Sequence, residues 1–280
     1  MKRALRMRRL GFVGGGNMAE ALAHGLLERK LFHPADLIVS DVAAARRRKL
    51  ARAYRIAVTA SNLEVIRAAP AIILAVKPQQ IDSAMAEIAA ALSRGKASKL
   101  FISIAAGVTL KRLRSGLGPR ARVIRVMPNA PAMVGHGMAA MVCGRGAAAA
   151  DLAFALRIFR AVGDAVALKD ESLLDAVTAL SGSGPAYVYL FAKAMAEGAA
   201  REGIPPAMAM RMALKTIRGA ERLMRESGRE AGELIRAVAS PGGTTEAALR
   251  RFAERGFSDI VAAAIHAAAE RSRELGRGIH

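Results

Sequence analysis

Three small residues at fixed spacing, Gly14, Gly16 and Ala19, have the clearest chemical use in this sequence. They lie in the run Leu10-Gly11-Phe12-Val13-Gly14-Gly15-Gly16-Asn17-Met18-Ala19. Arg9 to Val13 reads as a short buried strand, and an apolar-periodic helix starts at about Asn17. The spacing fits the G-x-G-x-x-G/A dinucleotide fingerprint. Gly14 allows the tight turn, Gly16 lets the backbone approach a pyrophosphate, and Ala19 keeps helix and strand close. The helix N-terminus attracts the phosphate charge. Two further stretches have chemistry of their own. Ser181-Gly182-Ser183-Gly184-Pro185-Ala186 and Ser240-Pro241-Gly242-Gly243-Thr244-Thr245 each read as a flexible loop ahead of a helix. Such a loop offers backbone N–H groups and hydroxyls to a carboxylate. Helix capping explains one loop of this kind well, and two less comfortably.

The elements that must position these residues alternate. A helix from Asn17 to about Arg29 leads to a turn at Pro34 and Asp36, then to a strand, Leu37 to Ser40, ending at Asp41. An acid there bonds adenosine ribose hydroxyls in many NAD enzymes, whereas nearby basic residues such as Arg46, Arg47 and Arg48 suit the 2′-phosphate of NADP. Both are present, so the choice between NADH and NADPH stays open. Ser61-Asn62-Leu63-Glu64 reads as a capping box. Ala71 to Val76 is a continuous apolar run, as for a strand buried on both faces, and it stops at Lys77-Pro78. Gln79 to Leu92 reads as helix, Leu100 to Ile104 as strand, Thr109 as a helix cap, and Arg122 to Met127 as strand. Gly137 to Val142 and Ala165 to Leu168 read as two more strands around a helix at Ala149 to Ala161. From Glu171 onward only helices follow: Glu171 to Leu180, Pro185 to Glu202, Pro206 to Glu226, Gly232 to Ala239, Thr244 to Glu254 and Ser258 to Leu275. The fold class is α/β. A Rossmann-type doubly wound sheet domain, residues 1–168, precedes an all-α domain, residues 169–280, whose Ala- and Met-rich faces suit a helical dimer.

Composition excludes several classes of function. With 53% hydrophobic residues the 280-residue chain is globular. Cys143 is alone, so there is neither an intrachain disulfide nor a cysteine metal cluster, which fits a cytoplasmic setting. His24, His33, His136, His266 and His280 have no metal-ligand spacing, so no metal is expected. Val126 to Gly144 lacks charge but is broken by prolines and glycines, so no membrane span is expected. The basic stretch from Lys2 to Arg9 reads as a plain N-terminal extension. The net charge of +20 raises nucleic-acid binding. Against it, the basic residues alternate with acids along helices, aromatics are 4% and Trp is absent. A solvated arginine-rich surface, whose field draws in anionic ligands, is the preferred reading.

With these residues assembled, the chain resembles the pyrroline-5-carboxylate reductase family from Gly11 to about Leu275. The resemblance rests on Gly-Phe-Val-Gly-Gly-Gly-Asn-Met (11–18), Ala-Val-Lys-Pro (75–78), Ser-Ile-Ala-Ala-Gly-Val-Thr (103–109), Met-Pro-Asn-Ala-Pro-Ala (127–132), Ser-Gly-Ser-Gly-Pro-Ala-Tyr (181–187) and Ser-Pro-Gly-Gly-Thr-Thr (240–245). The last two, in this order, are the specific ones. The resemblance implies reduction of 1-pyrroline-5-carboxylate to L-proline by NADPH or NADH, the last step of proline biosynthesis. It also implies a homodimer with interleaved C-terminal helices, often assembled further into a decamer. By matching position, Val13, Gly14, Gly15, Gly16, Asn17 and Met18 would hold the pyrophosphate. Asp41 and Asn62 would lie on the adenosine side, and Ala75, Val76, Lys77, Pro78, Ile104, Ala105 and Ala106 would line the cofactor groove. Ser240, Gly242, Gly243, Thr244 and Thr245 would bind the substrate, with Glu171 close to the site. Ala130 departs from the family's common Thr, and His136 sits in a variable loop, which bears on substrate tuning and not on the reaction.

The chemistry implied asks little of side chains. An imine that binds already protonated needs no His–Asp pair or carboxylate dyad, and none is found. Thr245 is expected to bond the ring nitrogen, and Glu171 is weighed as a proton source against a solvated acid at a helix start. The nearest rival is a β-hydroxyacid-dehydrogenase-like enzyme or another imine reductase. The first needs a lysine early in the helix after the sheet domain; Gly184 to Phe191 has none, and Lys193 comes later. A non-catalytic nucleotide-binding assembly protein is the remaining alternative.

Overall fold

The computed structural model describes residues 9–93 and 98–278. Of the basic N-terminal stretch only Arg9 lies within them, and His280 lies outside. β1 (Leu10–Val13), α1 (Asn17–Glu28), β2 (Leu37–Ser40), α2 (Ala44–Tyr54), β3 (Ala57–Thr59) and α3 (Asn62–Ala68) alternate. They continue through β4 (Ala71–Leu74), α4 (Ile81–Ser93), β5 (Leu100–Ser103), α5 (Leu110–Leu117), β6 (Arg122–Pro128), β7 (Gly137–Cys143), α6 (Ala149–Phe159) and β8 (Gly163–Ala167). The strands form one sheet in the order β3-β2-β1-β4-β5-β6-β7-β8.

Neighbouring strands from β3 to β6 in this sheet are parallel, β7 runs antiparallel to β6, and β8 is parallel to β7. All-apolar strands such as β1 and β4 are buried along their whole length, as strands with helices on both faces must be. One face packs on Leu22 and Leu26 of α1 and Phe154 and Phe159 of α6. The other packs on Val65 and Ile66 of α3, Met85 and Ile88 of α4, and Leu113 and Leu117 of α5. Each such side chain contributes about 1.5–3 kcal/mol, so the sheet is the rigid part from which the loops project. Strand order reverses between β1 and β4, and a doubly wound sheet opens its ligand crevice at that reversal.

Four local readings differ from the sequence expectation. β3 is an additional strand, short and half exposed, whose three residues carry no clear period. The capping box at Ser61 does not form: no side chain caps α3, and the Ser61 N–H donates to Thr59 Oγ1 at 3.0 Å. The helix expected from Glu171 to Leu180 is a short α7 (Leu173–Val177) followed by a π-helical turn, Thr178–Gly182. The serine-glycine stretch is therefore no free loop with open N–H groups, because the Ser183 N–H donates to the Thr178 carbonyl at 2.8 Å. The turn also has side-chain support. Thr178 Oγ1 donates to the Leu174 carbonyl, and a Cβ on Gly182 would lie 2.6 Å from Met127 Cε, so that methionine would have to swing aside.

Beyond the turn come α8 (Gly184–Arg201), α9 (Pro206–Ser227), α10 (Ala231–Val238), α11 (Thr244–Glu254) and α12 (Phe257–Arg277). The chain forms two compact units: one is the chain up to Ser183 with the segment from Ala268, the other Gly184–Ala267. The sequence reading divides the chain at 168/169, where strands give way to helices. In the helical unit, α8 and α9 pack through small residues, Ala196, Ala209 and Ala213. Large apolar side chains of the same unit, among them Leu190, Met212 and Leu223, are exposed in the single chain. No described helix is long and apolar enough to cross a membrane, and Val126 to Gly144 is spent on the end of β6, a 3-10 turn and β7.

Candidate active site

At the end of β1 the chain must turn within one residue to start α1 without striking β4. Gly14 does this with φ +96°, and its N–H donates to the Ser40 carbonyl at 2.9 Å. A Cβ on Gly14 would lie 2.7 Å from the Ala75 carbonyl oxygen, so any larger residue forces β1 and β4 apart. Ala75 returns its N–H to the Val13 carbonyl at 2.8 Å. Gly16 is different. It is the N-cap of α1, and a Cβ there would meet nothing within 4 Å. Space left open beside a helix start with no side-chain cap is what a pyrophosphate requires. Asn17 and Met18 form the first turn of α1, and Ala19 is buried behind it. These residues fit a dinucleotide.

The other expected cofactor residues share this edge of the sheet, since the strands that carry them are parallel. Ala75 and Val76 follow β4, Lys77 is exposed, and Pro78 starts a 3-10 turn. Ile104 follows β5 with its N–H on the Leu74 carbonyl at 3.1 Å, and Ala105 is buried while Ala106 is exposed. Asp41 follows β2, but both of its oxygens are engaged. Oδ2 accepts from the Gly15 N–H and Oδ1 from the Ala43 N–H, each at 2.8 Å. Asn62, after β3, accepts from Ser40 Oγ at 2.6 Å and donates to Glu87 Oε2 at 2.7 Å.

Of the three arginines after Asp41, Arg48 is exposed, and Arg46 and Arg47 divide the work. Arg46 Nε donates to the Gly15 carbonyl at 2.8 Å and its guanidinium pairs with Glu20 at 2.9 Å. Arg47 Nη1 donates to the carbonyls of Asp41 at 2.7 Å and Val42 at 3.0 Å, at the tip of β2. Burial of the Glu20 carboxyl raises its pKa, but the Lys49 hydrogen bond and the charges of Arg46 and Lys49 outweigh this and hold it below the usual 4.5.

Two groups that sequence reasoning left without a role organise this edge from behind. Asn129, after β6, donates Nδ2 to the Ser181 carbonyl at 3.1 Å and accepts from the Met138 N–H at 2.8 Å. One amide thus joins the π-helical turn to β7. Arg125, whose side chain is 8% exposed, meets Glu171 Oε1 at 2.7 Å, and the same oxygen accepts the Leu110 N–H at 2.7 Å. Glu171 is consequently a clasp on the start of α5 through Oε1. A charged residue in the middle of an apolar strand, Arg125, was the available signal.

The Ser240–Thr245 loop lies in the helical unit. Gly242 is left-handed at φ +71°, the Gly243 N–H donates to the Ser240 carbonyl at 2.9 Å, and the Gly242 N–H donates to Glu246 Oε2 at 2.5 Å. Thr244 and Thr245 open α11, and no side chain caps it among the described residues. An uncapped helix start with two hydroxyls beside it can bind a carboxylate. Lys193, the residue the rival dehydrogenase reading turns on, is exposed on α8 and pairs with Glu197 at 3.5 Å.

Residues 171–275 match the family model described as pyrroline-5-carboxylate reductase dimerisation, and residues 9–107 match one described as NADP oxidoreductase, coenzyme F420-dependent. The chain is 41% identical to a pyrroline-5-carboxylate reductase of Synechocystis over 96% of its own length and 98% of the relative's. Its fold superposes on the structure of a pyrroline-5-carboxylate reductase from Coxiella burnetii with a TM-score of 0.90 at 31% identity, covering 96% of this chain and 99% of that one. A Plasmodium falciparum pyrroline carboxylate reductase with NADP bound gives a TM-score of 0.85 at 30% identity, with 96% and 98% covered.

Proposed function

The chain belongs to the pyrroline-5-carboxylate reductase family, and from that premise we propose how its own residues reduce 1-pyrroline-5-carboxylate to L-proline. The observation that carries the reading is the cradle at Gly14 and Gly16, tight against Ala75 on one side and open on the other. The first turn of α1 binds the pyrophosphate of NAD(P)H through backbone N–H groups. Ala75 to Pro78 and Ile104 to Ala106 would line the place of the nicotinamide. When bound there, the cofactor supplies the hydride that reduces the C=N bond.

The Ser240–Thr245 loop binds the substrate carboxylate at the start of α11, and the Thr245 hydroxyl bonds the ring nitrogen of the protonated imine. No side chain then has to transfer a proton to start the reaction; the work is positioning. Glu171 and Asn129 act at one remove, on α5 and on the π-helical turn. Asp41 spends its carboxylate on the Gly15 and Ala43 N–H groups while Arg47 sits at the tip of β2. This supports NADPH as the preferred donor, with Arg47 facing its 2′-phosphate. Residues 1–168 serve as the cofactor domain and residues 169–280 as the substrate and dimerisation domain. The exposed apolar side chains of the helical unit support a homodimer; further assembly to a decamer and a cytoplasmic location belong to the same reading.

The test is loss of nicotinamide absorbance on adding pyrroline-5-carboxylate, with NADH and NADPH in parallel. Turnover favouring NADPH is expected, and Arg47→Ala lowers the NADPH:NADH ratio of kcat/KM by about tenfold, one charge-assisted hydrogen bond's worth. Folded protein that binds cofactor yet gives no turnover with either would refute the substrate assignment. Thr245→Val lowers kcat/KM for the imine by about tenfold or more; unchanged kcat and KM would remove Thr245 from the mechanism.

A further inference from the structure

The loop from β5 to α5 is tied at both ends. Ile104 is bonded to the Leu74 carbonyl, and at the far end Thr109 Oγ1 caps α5 through the Arg112 N–H while Leu110 is held by Glu171. Its middle meets the C-terminal helix. Gly107 is left-handed at φ +73°, and a Cβ there would lie 3.2 Å from Leu275 Cβ. A Cβ on Gly276 would lie 3.6 Å from the Gly107 carbonyl oxygen and 3.7 Å from Thr109 Cγ2. Two glycines therefore face each other where the last turn of α12 crosses the loop. One turn earlier, Ser272 is 4% exposed and donates its hydroxyl to Asp175 Oδ1 at 2.6 Å, which ties α12 to α7. Ala269 is buried on the same stretch.

We propose that the last two turns of α12 form a strap that sets the conformation of the β5–α5 loop, with Ser272, Leu275 and Gly276 as positioning residues for the cofactor. The inference rests on the cofactor reading above, because Ile104, Ala105 and Ala106 run directly into Gly107. Glycine on both sides lets the loop and α12 approach with no side chain of either glycine between them, so a shift of α12 moves the loop. Residues that do not touch the nicotinamide thus govern how tightly it is held.

The test uses the full-length protein, with NADPH affinity read by nicotinamide fluorescence and the two KM values measured separately. Asp175→Ala, which removes the partner of Ser272, and Gly276→Val, which adds bulk against Gly107, should each raise the Kd and KM for NADPH by about five- to twentyfold. The KM for pyrroline-5-carboxylate should stay within about twofold. Asp175→Asn keeps the accepting oxygen and should restore most of the affinity. Arg271→Gln, on the exposed side of α12 where Arg271 pairs with Glu274, should change nothing. An unchanged NADPH Kd in folded Asp175→Ala and Gly276→Val overturns the strap, and so does a parallel rise of both KM values. Where Gly276→Val does not fold, the Asp175→Ala and Asp175→Asn pair decides by the same criteria. Gly14→Ala separates the two levels. Full NADPH affinity in that variant refutes the cofactor site itself, and the strap with it. Lost affinity there, beside unchanged strap variants, refutes the strap alone.

Discussion

Gly14 carries the sharpest expectation for a single residue. Its left-handed φ and the 2.7 Å approach to the Ala75 carbonyl mean that even one methyl strains the turn, by about 1–3 kcal/mol. Gly14→Ala should stay folded, lose most NADPH affinity by fluorescence titration, and melt several degrees lower. Glu20 gives a pH dependence. Its carboxyl is held below the usual 4.5 by Lys49 and Arg46, and its side chain is 15% exposed. A depressed carboxylate contributes stability above its ordinary pKa and loses it as pH falls through the lowered value. The Tm of wild type should therefore exceed that of Glu20→Gln near neutral pH, and the gap should close below pH 4.5. Cys143 is half-buried, and burial together with the nearby Asp151 charge pushes its thiol pKa up. Alkylation at neutral pH should be far slower in the native protein than in denaturant.

The clasp from Arg125 through Glu171 to Leu110 joins three elements that are far apart in sequence. Removing the carboxylate leaves a guanidinium that is 8% exposed without its partner. Glu171→Ala should cost about 2–4 kcal/mol, less than a fully buried pair because Glu171 is itself 29% exposed. Urea denaturation reads this directly. Elements of this kind mark where sequence reading succeeds and where it stops. β1, β4 and β5 were legible because strands buried on both faces must be apolar throughout. The N-cap at Thr109 was legible because capping is a local act, and the Arg112 N–H bonds it as expected. The turn at Thr178–Gly182 was not. Ser-Gly-Ser-Gly reads as a loop until Asn129, about fifty positions earlier, supplies the amide that holds it. Ser61 failed for a related reason: Thr59, two residues before it, took its N–H. The tight turn at Gly14 could be found from spacing, whereas the pairing of Glu171 with Arg125 could not, since nothing in Glu171's neighbourhood in sequence announces that partner.

Across the whole molecule the uneven distribution of apolar surface is the feature to test. The helical unit leaves Leu190, Met212 and Leu223 exposed, a pattern that a second copy would cover. Melting should move up with protein concentration, as for a dimer whose folding and association are coupled. Leu190→Glu together with Met212→Glu should halve the sedimenting mass. The net charge of +20 acts at the same scale, through a field that concentrates anionic ligands and is screened by salt. The end of α12 has a practical bearing on all of these measurements. Leu275 and Gly276 lie against the Gly107 loop, so a fluorophore or cross-linker attached in the last turn of α12 presses on the loop that follows β5. Enzyme labelled there would report the label's pull on the loop along with its own kinetics, and unlabelled protein is the proper reference for every cofactor constant.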